Sequence, residues 1–262
     1  MNSPEAATWH APPPIRGMRA AFIFFTRLPL GGFPYRPADW RWAAAHAPLV
    51  GLVLGSVLGA LDRALLPLGA TPAAFLVLGA SLFLTGAFHE DGLADTSDAL
   101  GGGYTTERVL EILKDSRIGS FGGAALVISI AGRAALLAQL GTAACWALPL
   151  SWCGARVGPI WLMASMPYVT ATGGAKSREL SRGGFTQALV ASSWLGLSAW
   201  ACVAFGIFAP ARVAALCVAL GVVSALSAWR YWARVRGITG DFLGATEQLG
   251  ELVALCVLAY RC

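Results

Sequence analysis

F-L-V-L-G-A-S-L-F-L-T-G-A-F-H-E-D-G-L-A-D-T-S-D, residues 75–98, changes character halfway. Phe75 to Phe88 is apolar without a single charge. From His89 onward come Glu90, Asp91, Asp95 and Asp98, with no polar spacer before them. The first half reads as a helix whose solvent is lipid, because a crossing needs ~20 mostly apolar residues and few charges. The second half then stands at the mouth of that helix.

The rest of the chain agrees with a lipid solvent. Only 13% of its 262 residues are charged and its mean hydropathy is +0.63, whereas a soluble domain carries about 25% charged residues. By the same ruler, residues 46–68, 72–89, 120–141, 143–166, 186–208, 211–229 and 243–260 are candidate crossings. The sequence predicts an all-α, polytopic membrane helix bundle of about seven spans, between six and eight. The shorter segment R-G-M-R-A-A-F-I-F-F-T-R-L-P-L, basic at its edges, is expected at the membrane interface. Residues 1–17 lack an apolar core and are expected to form a disordered tail. Residues 18–262 are expected to be a single integral membrane catalytic domain. The six cysteines form no C-x-x-C pair, and most sit in apolar runs where a thiol acts as a small hydrophobe.

The net charge is +5, and in such a chain it reads as loop bias rather than nucleic-acid binding. The polar stretches 31–45, 89–119, 170–185 and 230–241 hold most of the basic residues, among them Lys176, Arg178 and Arg182. These stretches include the acidic ones. The positive-inside rule therefore faces the acids to the cytoplasm of an inner-membrane protein.

Asp91, Asp95 and Asp98 are spaced i, i+4, i+7, which lines three carboxylates along one helix face. Like charges so arranged repel, and a bound divalent cation removes the conflict. Hard oxygen donors without an imidazole cage favour Mg²⁺ or Mn²⁺ over zinc. G-G-G at 101–103 follows, a turn that lets a ligand approach the backbone. A second acidic group, Asp241, Glu247 and Glu251, begins the last span; ionisable groups there are costly and often functional, although Asp241 would also serve as a helix cap. L-K-D-S-R-I-G-S-F-G-G, residues 113–123, sets Lys114, Asp115 and Arg117 before an apolar helix, a place suited to phosphate.

Four stretches, F-F-T-R-L-P-L (24–30), H-E-D-G-L-A-D-T-S-D (89–98), L-E-I-L-K-D-S-R-I-G-S-F-G (110–122) and G-I-T-G-D-F-L-G-A (237–245), resemble the cobalamin synthase (adenosylcobinamide-GDP ribazoletransferase) family over roughly residues 18–260. The chain differs from that pattern at Glu90, where an apolar residue is usual, at Ala99, where a glycine is usual, and at Gln248, where an acid is usual. The resemblance implies a membrane enzyme late in cobalamin synthesis. It would join adenosylcobinamide-GDP to α-ribazole or its 5′-phosphate, release GMP and use Mg²⁺. On this reading Asp91, Asp95 and Asp98 bind metal and carry catalysis, one of the last two doubling as general base. Asp115, Asp241 and Glu247 would be further metal ligands, with Glu251 an alternative to Glu247. Arg27, Lys114 and Arg117 would hold the diphosphate; Arg178 and Arg182 read as loop charges, and His89 as a neighbour rather than a ligand. Two ions about 4 Å apart would serve the two phosphates. The partners expected are these substrates and the bilayer, with no nucleic acid; small residues on lipid-facing helices would also permit a homo-oligomer.

Three rival readings exist, of which a non-catalytic membrane scaffold gives no reason for the aspartate stripe. A CDP-alcohol-type phosphotransferase of lipid synthesis would carry D-G-x-x-A-R, but Asp95 stands where the arginine belongs. An ion-coupled transporter would place acids mid-membrane in two matching halves, but here they cluster at span ends.

Overall fold

The computed structural model describes residues 11–31, 36–169 and 183–260. These form α1 (Pro13–Phe25), α2 (Pro37–Ala45), α3 (Ala47–Leu65), α4 (Ala70–Thr85), α5 (Phe88–Gly102), α6 (Thr106–Ile112), α7 (Ser120–Leu140), α8 (Ala144–Ala155), α9 (Val157–Ser165), α10 (Phe185–Ala204), α11 (Pro210–Val235) and α12 (Gly240–Ala259). The described residues contain no strand, only one bridge between Tyr168 and Ile238. Residues 13–17, expected in the tail, are the start of α1. Residues 1–10 and the loop charges Lys176, Arg178 and Arg182 lie outside the described residues.

Five segments are long and apolar enough to cross a membrane, or six if the bent pair α4–α5 is one. One of the five, Ser120–Ser165, runs for 46 residues, about twice the length of a crossing. It turns back at Gly141, where the backbone leaves the helix (φ 55°, ψ −124°). Its neighbours show the reversal. Ser129 Oγ donates to Gln248 Oε1 at 3.4 Å and Gln139 Nε2 to the Ala259 carbonyl at 2.9 Å, so α7 runs alongside α12. On the other flank, Trp152 Nε1 donates to Glu251 Oε1 at 2.9 Å, while Gly158 faces Thr246, so α8–α9 runs against α12. Counting that stretch as two passes adds one to either total, and the larger then equals the seven expected from the sequence.

Helix α12 is the axis of the bundle: 67% of its apolar window is buried, against 17% for α10. Around it, α3 packs on α8 through Gly51, Gly55 and Gly59, spaced i, i+4, i+8. A Cβ at any of them would strike the backbone of Trp152, Leu148 or Cys145. With no hydrophobic drive between helices in lipid, such backbone contact is the main source of packing energy.

Helix α4 supplies a crossing and then the chain turns by 92°. Gly86 (φ 70°) and Ala87 (φ 56°) both adopt the left-handed conformation at this corner, which is costly for alanine and natural for glycine. Helix α5 therefore lies across the end of the bundle instead of continuing through it. Helices α1 and α2 pair beside that end, with Arg16 NH2 2.8 Å from Asp39 Oδ1.

Candidate active site

The aspartate helix crosses α12 at two glycines. A Cβ on Gly92 would lie 2.8 Å from the Asp241 carbonyl, and one on Gly244 would lie 3.3 Å from the His89 carbonyl. Backbone thus meets backbone, and the first turn of α12 is drawn under α5. The start of α12 is capped by Thr239, whose Oγ1 accepts from the Phe242 N–H at 3.3 Å; Asp241 is not the cap.

Asp91 is exposed, and Asp95, Asp98 and Asp241 are partly buried. Burial, and then the charges of Asp91, Asp241 and Asp98, push the Asp95 carboxyl up to about 6. These four acids are therefore neighbours in a shared negative field. Asp98 has a further engagement: its carboxylate accepts from Gly119 N at 2.7 Å and Gly122 N at 2.9 Å. It caps the first turn of α7 from another helix and satisfies donors that a helix start leaves open.

Two expected metal ligands do not join this group. Asp115 is paired with Arg117 at 2.6 Å on an exposed turn, and that hydrogen bonding holds its carboxyl low, at about 2. Glu247 is only 1% exposed and points the other way: Arg156 NH1 is 2.8 Å from its Oε1, while His89 Nδ1 (3.4 Å) and Gln248 Nε2 (3.0 Å) meet its Oε2. Glu251 is likewise engaged, by Arg133 and Trp152. Among the described residues no three His, Cys, Asp or Glu side chains form a ready-made ion cage. Mg²⁺ does not require one: it takes one or two carboxylates and completes its shell with water and phosphate. Crowded oxygen donors at Asp91, Asp95 and Asp241 fit such an ion.

The basic candidates divide as well. Arg27 is tied to the corner of α4–α5: its N–H donates to the Leu84 carbonyl at 2.7 Å, and its guanidinium lies over Gly86, where any Cβ would collide with it. That puts a cation at the start of the aspartate helix. Lys114 and Arg117 are exposed on the turn between α6 and α7. At the other end of α5, Arg230 and Arg234 donate to the carbonyls of Leu100 (3.4 Å) and Gly103 (3.1 Å), favourable for a helix C-terminus.

Beneath α5 lies a layer that the sequence did not signal as a unit. Arg133 NH2 is 3.1 Å from Glu90 Oε1 and its NH1 is 3.2 Å from Glu251 Oε2. Arg156 lies 4.6 Å over the Trp152 ring besides pairing with Glu247. The two arginines answer three glutamates and fasten α5 to α7, α8 and α12. Arg133 and Arg156 each stand as a lone charge inside an apolar run, but their pairing requires knowing which spans touch.

The model of the family described as cobalamin-5-phosphate synthase matches residues 17–259. The chain belongs to the cobalamin-5-phosphate synthase family. Among curated relatives, one from Leptothrix cholodnii is 40% identical over 89% of this chain and 91% of its own length. Another from Albidiferax ferrireducens is 35% identical over 94% and 98%. One from Vibrio cholerae is 36% identical over 92% of each. All three are named adenosylcobinamide-GDP ribazoletransferase. No solved structure matches the chain. Membership of the cobalamin-5-phosphate synthase family makes this a transferase of cobalamin biosynthesis and sets aside the lipid-synthesis and transporter readings.

Proposed function

We propose that the chain transfers the adenosylcobinamide-phosphate group of adenosylcobinamide-GDP to α-ribazole or its 5′-phosphate, with release of GMP, using a divalent cation. The relatives' shared name supports the substrates. The observation that carries the chemistry is the crossing at Gly92 and Gly244, which gathers Asp91, Asp95 and Asp241.

In this reading a ribose hydroxyl of the acceptor attacks the phosphorus attached to cobinamide and GMP departs. Such a step needs little covalent help from protein and much positioning and charge stabilisation. Mg²⁺ or Mn²⁺, when bound, supplies positive charge to the phosphate oxygens. Asp91, Asp95 and Asp241 would hold it. Asp95, partly buried among the other three acids, is placed to accept the hydroxyl proton. Asp98 fixes the first turn of α7 beside the phosphates. Arg27 would bind diphosphate at the head of α5, with Lys114 and Arg117 reaching in from their turn.

The site would face the cytoplasm. Among the described residues only Arg63 and Arg212 stand at the far ends of the bundle, and Arg133 and Arg156 are interior. All other described cations sit at the end that carries α5. That asymmetry is the positive-inside signature. Thiol labelling of Lys114→Cys in intact cells and in inside-out vesicles checks it; labelling in intact cells alone would reverse the orientation.

The deciding experiment is purified protein in liposomes with both substrates, with and without Mg²⁺. Wild type should release GMP only with the metal. Asp91→Asn and Asp95→Asn should fold and release none; normal turnover by either removes that residue from the site.

A further inference from the structure

A cavity of about 430 Å³ lies under α5, on the face away from the aspartates. Leu93, Thr96, Ser97 and Leu100, spaced i, i+3, i+4, i+7, roof it, while Asp91, Asp95 and Asp98 line the opposite stripe. Its walls come from α7, α11 and α12. Large apolar side chains mark its mouth: Ile128, Leu226 and Leu249 are 65%, 58% and 41% exposed. On a bundle that sits in a bilayer, such a surface between two helices opens sideways into lipid.

The depth of the opening can be read from α11. Trp229 and Trp232 are 68% and 45% exposed near its last turns, and exposed tryptophans mark the level of the headgroups. Arg230, between them in sequence, lines the cavity at that level. Leu226, Ile128 and Leu252 lie one or two turns deeper, in the hydrocarbon. A cation above an apolar slot is the complement of a phosphate above an acyl chain.

We propose that this cavity lodges one acyl chain of an anionic bilayer phospholipid whose phosphate is held by Arg230. The lipid supports the aspartate helix from below and is distinct from the substrates above it.

The test uses the full chain in nanodiscs containing phosphatidylglycerol or phosphatidylcholine with a diazirine on the acyl chain. After photolysis, adducts should concentrate on the peptides bearing Ala125, Leu226 and Leu249. Phosphatidylglycerol should be favoured roughly fivefold, the worth of one basic side chain at a charged leaflet. Arg230→Gln should remove that preference. Ala125→Phe, which fills the slot, should remove the adducts from both lipids at an unchanged melting temperature. Leu226→Trp, which blocks the mouth, should do the same if Ala125→Phe fails to fold. Adducts spread evenly over every outward helix would overturn the proposal, as would adducts undiminished in these variants. Displacement by added α-ribazole would also overturn it, because the cavity would then be a substrate site.

Discussion

Arg133 and Glu90 meet 3.1 Å apart directly beneath the aspartate stripe, with side chains 1% and 8% exposed. Breaking a buried ion pair strands a charge in a poor solvent, at a cost of about 3–5 kcal/mol. Arg133→Met strands Glu90 and Glu251 together, so it should lose stability in that range. Glu90→Gln leaves Arg133 paired with Glu251 and should lose only about 1–2 kcal/mol. Unfolding in mild detergent compares the two, and equal losses would contradict the bridging role given to Arg133.

Gly92 is where α5 touches α12 most closely. Gly92→Ala puts a methyl against the Asp241 carbonyl and must move the two helices apart. A displacement of the order of 1 Å can cost on the order of 10²-fold in rate, so GMP release should fall by about that factor in a protein that still folds. Gly79→Ala is the control: nothing lies within 4 Å of its Cβ. It should keep activity and, as a mid-helix Gly→Ala change, gain up to about 1 kcal/mol.

Asp98 and Asp91 share a stripe but should fail differently. Asp98→Ala removes the acceptor for Gly119 and Gly122 and should cost about 1–2 kcal/mol, as loss of a helix cap does. Asp91→Ala, on an exposed residue, should leave the melting temperature unchanged and abolish turnover. Paired melting and activity curves for the two variants separate the roles; a melting loss confined to Asp91→Ala would reverse them.

The metal-free protein should carry the mark of Asp95 in its pH dependence. Its carboxyl titrates at about 6 when folded and near 3.8 in a free chain. Between those values the folded state holds the proton more tightly, so stability contributed by this group is full below the lower value and falls as pH rises towards 6. With chelator present, the melting temperature should therefore decline across that window. Asp95→Asn should flatten the decline, and so should added Mg²⁺. A rise with pH that Asp95→Asn abolishes would refute the assignment.

The bundle and the acidic stripe were legible because each rests on a local period: apolar runs of span length, and carboxylates at i, i+4, i+7. The lateral lie of α5 was not. Nothing short-range announces a 92° corner at Gly86 and Ala87, since glycine is common in spanning helices and alanine rarely adopts positive φ. The sequence sorted Glu247 with the acidic site because it counted acids near a span start. Two residues contradict that grouping in space: Arg156, distant in the chain, takes the carboxylate, and His89 meets its other oxygen. Asp98 as the cap of α7 was equally hidden, because the partner N–H groups belong to residues 21 and 24 positions later. Resemblance located the motifs; the glycines inside two of them acquired a reason only when Gly92 and Gly244 were seen in contact.

Among the described helices, the axial helix α12 follows in the chain every helix it packs against. Its two buried glutamates make it a poor candidate to enter a bilayer unaided, yet Arg133 and Arg156 belong to helices synthesised earlier. Insertion of α12 thus has counter-charges waiting for it, and until it arrives the aspartate helix has nothing to cross. Without α12 the chain would keep Asp91, Asp95 and Asp98 but lose Asp241 and the backbone contact of Gly92 with Gly244.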